Sequence, residues 1–256
     1  MTEPMNTQQQ KQYKILLLGD NCTDVYEYGI VDRISPEAPV PVFKFSYHID
    51  KPGMAGNVSE NLKTLGCDVN FLKGKTSTKT RLIDIRSKQQ IVRIDNDVDS
   101  KPIEFVTEIP QIYDAVVISD YNKGTITYEL VEEIISTVTC PVFIDTKKTD
   151  LARFNGAYIK INALEKSLAT TLPDAEWLIV TYGGSGAVWN GWAHGARTVE
   201  VVDVCGAGDT FLSALVYEYL NTNNMNKAMS FAIDASAVTI QHTGVYAPRL
   251  EEIVRV

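Results

Sequence analysis

Basic charge is in short supply in this sequence of 256 residues: 24 Lys and Arg stand against 32 Asp and Glu, a formal charge of −8 at pH 7. A protein that grips nucleic-acid backbones needs a basic face, so that class is excluded as a general function. An anionic small molecule is not excluded, because a few cations or backbone N–H groups hold a phosphate. Cysteine is sparse. Cys22, Cys67, Cys140 and Cys205 lie far apart, with no CxxC pair and no zinc spacing, and His48, His194 and His242 make no HExxH arrangement. Scattered thiols suggest a reducing compartment. No apolar run nears the roughly 18 residues that span a bilayer, and the opening MTEPMNTQQQKQ has no apolar core of a secretory signal. A cytoplasmic protein without membrane or nucleic-acid partners is expected, with residues 1–12 as a loose polar tail. At 45% hydrophobic and 22% charged residues the rest has ample material for a core, so residues 13–256 are read as one domain.

Short apolar runs recur, each ending in turn residues: Ile15 to Leu18 before Gly19-Asp20, Ala115 to Ile118 before Ser119-Asp120, Val142 to Ile144 before Asp145, and Trp177 to Val180 before Thr181-Tyr182-Gly183-Gly184. Such runs read as strands buried on both faces. Helical patterns lie between them, at about 54–65, 127–138, 149–155, 163–171, 208–220 and 224–241. The alternation predicts an α/β fold with a mostly parallel central sheet, and ligands at the carboxyl ends of its strands. Pro39 to Tyr47 and Thr80 to Ile94 break the alternation with exposed-strand patterns. These predict either a small β-sheet lid standing apart, with strands at about 30–50 and 80–95, or an edge extension of the main sheet.

The densest chemistry is at Asp203-Val204-Cys205-Gly206-Ala207-Gly208-Asp209-Thr210-Phe211. Gly206 and Gly208 let the backbone come close to a ligand, and the first helical turn after them offers unsatisfied N–H groups and the positive end of a dipole. This predicts a phosphate cradle with Asp209 at its mouth, where a carboxylate can take a proton from an attacking hydroxyl. A glycine turn with an ordinary capping Asp would look the same locally. No Walker A loop or GxGxxG fingerprint occurs.

That stretch resembles the second signature of the PfkB (ribokinase-like) carbohydrate kinases, and other segments agree in order. Gly19-Asp20 with Asp24 resembles the family's start, where an Asp binds sugar hydroxyls. Pro52-Gly53-Met54-Ala55-Gly56-Asn57 resembles its first, glycine-rich signature, with Asn57 in the sugar-binding place. Asn162-Ala163-Leu164-Glu165 resembles its NxxE motif, whose Glu acts on Mg²⁺ through water. Thr181-Tyr182-Gly183-Gly184-Ser185-Gly186 resembles its nucleotide-edge turn.

The resemblance implies a ribokinase-like three-layer α/β/α sandwich with a β-sheet lid and ATP with Mg²⁺ as cofactors. The implied nucleotide-binding residues are Asn162, Glu165, Thr181, Gly183, Gly184 and Gly186. The implied catalytic set is Asp209 with Gly206, Ala207 and Gly208. Asp32 to Val42, Lys88 to Asp95 and Ser119 to Gly124 are similar to the branch that phosphorylates the anomeric hydroxyl of D-glycero-β-D-manno-heptose 7-phosphate. On that likeness Asp24, Arg33, Gly53, Asn57 and Gln90 are expected to hold the sugar, and Lys123 to clamp its phosphate. Another sugar or nucleoside as acceptor, or binding without turnover, stays open. Three departures stand out: Met54 takes a usual glycine position, residues 73–80 are short where the family has several tens more residues, and a fused nucleotidyltransferase domain is not expected. The resemblance and the apolar Val40, Val42, Phe43, Phe45 and Tyr47 together point to a homodimer through the lid strands.

Overall fold

Hydrophobic alternation along each buried strand sets the layers. A computed structural model describes residues 11–104 and 112–253. In it β1 (Lys14–Ile34), β3 (Asp68–Asp84), β5 (Ala115–Asp120), β6 (Val142–Thr146), β7 (Tyr158–Asn162) and β8 (Leu178–Thr181) pair in parallel, and β2 (Pro41–Met54), β4 (Gln90–Asn96), β9 (Ala187–Trp189) and β10 (Trp192–His194) add antiparallel edges. Ile15 and Leu17 point to one side, into a core shared with α1 (Ala55–Thr64), α4 (Ala207–Thr222) and α5 (Met225–Thr239). Leu16 and Leu18 point to the other, against α2 (Tyr128–Thr137) and the turn 151–154. The result is the expected three-layer α/β/α arrangement. The pattern at 163–171 gives only α3 (Ala163–Leu168), and that at 149–155 only a 3₁₀ turn over Leu151–Phe154. In the latter, Gly156 with φ 99° stops the chain after one turn.

The lid is not a separate sheet. Among the described residues all the strands belong to one ten-stranded sheet, because β1 and β3 run unbroken from body to lid. β1 pairs with β5 over Ile15–Gly19, then exchanges that neighbour for β2 from Asn21 onward. The short segment 73–80 lies inside β3, where Thr76, Thr78 and Thr80 suit an extended chain. The exchange occurs at Gly19-Asp20-Asn21, where the β1–β3 register also shifts, so the chain splits open beside Asp20. Of the predicted tail, residues 1–10 lie outside the described residues, as do 254–256 at the other end. No helix among the described residues is long and apolar enough to cross a membrane.

Candidate active site

The starts of two helices and one loop meet where the lid leaves the body. α4 begins at Gly206, whose φ of 77° is left-handed, and carries Asp209 in its first turn. α1 begins after Met54, and brings Asn57 to Asp209: the Asn57 amide Nδ2 donates to Asp209 Oδ2 at 2.8 Å. The loop after β5 supplies Tyr121, whose Oη donates to Asp209 Oδ1 at 2.9 Å. Both carboxylate oxygens are thus held by neutral donors, and the group is buried. Burial, the largest cause, pushes the Asp209 carboxyl up to about 6, although Asn57, Lys160 and Tyr121 pull the other way. A carboxylate of that affinity suits a general base near neutral pH.

Below the cradle, Lys160 Nζ donates to Asp145 Oδ2 at 2.6 Å, with both residues buried. A Cβ built on Gly208 would stand 3.0 Å from that ammonium, and one on Gly206 would stand 2.8 Å from Asn57 Nδ2. Glycine at 206 is therefore favoured by its left-handed conformation as well as by close approach, and glycine at 208, inside the helix, by close approach to the ammonium.

On the lid side, Arg81 Nη1 holds Asp24 Oδ1 at 2.6 Å, and Gly53 leaves room for that carboxylate, because a Cβ there would meet Asp24 Oδ2 at 2.2 Å. Met54 takes up φ 53°, ψ −135°, a region suited to glycine, and its side chain is buried. The strain is of order 1–3 kcal/mol and is held by the surrounding packing.

The segment predicted as a nucleotide edge forms an open turn at the end of β8. Thr181 ends β8, Tyr182 N–H donates to Gly186 O at 2.7 Å, and the turn over Gly183–Ser185 is open: a Cβ on Gly183 or Gly184 would meet nothing within 4 Å. Asn162 and Glu165 form a reciprocal capping box, Oδ1 accepting from Glu165 N–H at 2.9 Å and Glu165 Oε2 accepting from Asn162 N–H at 2.8 Å. Glu165 Oε1 is paired with Lys147.

Three predicted residues are placed elsewhere or otherwise engaged. Arg33 is exposed, nine residues beyond Asp24 on one extended strand, roughly 30 Å away. Gln90 is exposed where β4 begins, paired with Ile83 at the far end of the lid. Lys123 is close to the site, since its N–H donates to Asp20 Oδ2 at 3.1 Å, but its ammonium is bound to Asp97 at 2.5 Å. A loop motif read along the chain does not reveal that β1 carries its far end away from the body.

Other residues entered unannounced. Tyr121 belongs to Ser119-Asp120-Tyr121-Asn122-Lys123-Gly124, but a tyrosine there gives no sign of reaching Asp209. Lys160 was detectable as a charge inside the buried run Tyr158-Ile159-Lys160-Ile161-Asn162. Strand register places Lys51, Asp24, Lys79 and Asp95 in one row, and Tyr26, Arg81 and Arg93 in the next. These side chains share the lid face on which Asp24 lies.

Comparison with known proteins agrees with this geometry. Residues 146–253 match the model of the pfkB family carbohydrate kinases. The chain is 35% identical over 299 aligned positions to the bifunctional protein HldE of a Nitratiruptor species, covering 94% of this chain and 64% of that one. It thus spans just under two thirds of that relative's length. The aligned span also exceeds the 256 residues of the chain, so the relative carries segments that this chain lacks. Among solved structures, the ribokinase of Thermotoga maritima superposes with a TM-score of 0.69 at 16% identity, covering 95% of this chain and 98% of the other. An Arabidopsis thaliana ribokinase solved with ribose and ATP gives 0.69 at 14% identity, covering 96% and 98%. Both show the ribokinase-like fold.

Proposed function

From the match of residues 146–253 to the pfkB family carbohydrate kinases, we propose that the chain is an ATP-dependent sugar kinase of that family whose acceptor is a phosphorylated sugar, D-glycero-β-D-manno-heptose 7-phosphate. The observation that carries the kinase reading is the buried Asp209 at the start of α4, held on both oxygens by Asn57 and Tyr121 beside a glycine cradle. Asp209 takes the proton of the sugar hydroxyl as its oxygen attacks the γ-phosphoryl group, and the N–H groups of Gly206, Ala207 and Gly208 face the charge that builds on the transferred group. The open turn at Gly183 and Gly184 leaves room for a nucleotide. Glu165 fits Mg²⁺, which favours oxygen donors, one or two carboxylates and retained waters. Bound there with ATP, the ion would neutralise phosphate charge, and Lys147, now on Glu165, would be free to turn to the phosphates.

The acceptor's charge is supported by the lid. Lys51, Lys79 and Arg81 share one face with Asp24, and among the described residues Lys79 makes no ion pair. Its ammonium lies 5.9 Å from the centre of the Tyr121 ring, one residue removed from Asp209. We therefore assign the substrate-phosphate clamp to Lys79 in place of Lys123. Lys79→Met is expected to raise KM for the sugar phosphate about 10- to 100-fold, the worth of one charged hydrogen bond, with KM for ATP unchanged. Unchanged KM for the sugar phosphate in a kinetic titration removes Lys79 from the site. The heptose itself is supported by the likeness of the lid and loop motifs.

The raised Asp209 carboxyl sets the pH dependence. The base must be unprotonated, so kcat/KM is expected to be half-maximal near pH 6, full about one unit above it, and to approach a tenfold fall per unit below it. A profile flat down to pH 5 contradicts the assignment.

The four cysteines are free, which supports a cytoplasmic setting. Phe45 and Tyr47 on edge strand β2, 57% and 47% exposed, support pairing of two lids. Sedimentation at micromolar concentration is expected to show a dimer, and a monomer alone rejects it.

A further inference from the structure

We propose that the Lys160–Asp145 pair is a positioning device for the transfer, with Lys160 bracing the glycine cradle from beneath and the two charges balancing each other against Asp209. The proposal rests on the reading of Asp209 as the base.

The sequence makes the pair conspicuous. Ile159 and Ile161 are fully buried on one face of β7, so the strand's alternation turns Lys160 to the other face, toward α4. Asp145 is its direct register partner on β6. Their side chains lie side by side beneath the mouth of the site, 6% and 10% exposed. Stability does not explain such a pair. Removing two charges from water costs several kcal/mol per ion, and apolar residues of similar volume commonly hold a fold as well or better.

Position suggests what the pair does. The ammonium stands where a Cβ on Gly208 would be in contact, at 3.0 Å, and Gly208 is the residue before Asp209. Lys160 thus supports the first turn of α4, whose N–H groups face the transferred phosphoryl. Three charged groups meet there, Asp209, Asp145 and Lys160, and Glu165 also acts on Lys160. Asp209 is also faced by Asn57 from α1, by Tyr121 after β5, and by Cys22 from β1, whose thiol is pushed up to about 12 and stays neutral. Tyr121 is likewise held neutral by burial. Asp145 raises the proton affinity of Asp209 and Lys160 lowers it. The two members of the pair therefore act on the base in opposite directions, so removing either charge alone moves its proton affinity and removing both leaves it nearly unchanged.

The test is the pH profile of kcat/KM for Asp145→Asn, Lys160→Met and the double variant, each checked for folding by thermal melting. With Asp145→Asn the acid limb is expected to move down by about one pH unit, and with Lys160→Met to move up by about one. In the double variant the two effects cancel and the limb returns near the wild-type position, while kcat remains reduced at saturating ATP because the cradle has lost its brace. Lys160→Met alone leaves a buried carboxylate unpaired. If it fails to fold, the near-isosteric Asp145→Asn and the charge-neutral double variant decide the question. Folded single variants whose acid limbs superimpose on the wild type, or a folded double variant with wild-type kcat, overturn the proposal and leave the pair as scaffolding. An enzyme whose wild-type profile has no limb near pH 6, or whose Asp209→Asn variant keeps full turnover, overturns the base assignment instead.

Discussion

Asp209→Asn is expected to lower kcat by about 10²–10⁴-fold while ATP still binds, the loss that follows when a positioned general base is removed. The substitution keeps the shape of the side chain. Tyr121 can still donate to the remaining oxygen, but the new amide cannot accept a proton from the acceptor hydroxyl. The fold should hold, because the charge removed is one that burial disfavours, as the raised carboxyl affinity shows. Steady-state turnover with a parallel ATP-binding titration separates the two effects. Turnover within twofold of wild type would show that proton removal is not the task of this residue.

Gly206→Ala is expected to cost about 10²-fold in kcat, comparable with losing one donor that stabilises transition-state charge. Two separate causes act. The backbone at Gly206 has φ 77°, and a residue with a Cβ is strained there by roughly 1–2 kcal/mol. The added methyl would also press on Asn57 Nδ2 at 2.8 Å and Val245 Cγ1 at 3.1 Å. Asn57 Nδ2 is the atom that holds Asp209, so the cradle and the base are disturbed together. A variant that melts a few degrees lower yet keeps wild-type kcat would mean that the cradle's shape does not matter to the transfer. Thermal melting and kcat measured on the same preparation decide it.

The body of the fold was legible because its strands are short, apolar and bounded by turns. β5, β6 and β8 appear where the runs predict them, as do α2, α4 and α5 within two residues. The lid was harder. β1 continues through Asn21, Thr23 and Glu27, and β3 through Lys73, Lys75 and Lys79, sequences whose exposed faces carry no apolar run to mark a strand. Their extension is fixed by pairing with each other over Asn21–Gly29, a long-range contact that local pattern does not encode. This geometry also separates Arg33 and Gln90 from Asp24. The meeting of Asn57 with Asp209 followed from motif order, whereas Tyr121, Arg81 and Lys160 enter the site through strand register and loop path.

The most direct measurement is Mg²⁺-dependent formation of ADP and a bisphosphorylated sugar from ATP and D-glycero-β-D-manno-heptose 7-phosphate, wild type beside Asp209→Asn, with unphosphorylated hexoses, pentoses and nucleosides as comparison acceptors. Turnover on the sugar phosphate in the wild type, weak or no turnover on the neutral acceptors, and loss in the variant are predicted. Equal turnover in both proteins, or a preference for a neutral acceptor, contradicts the account.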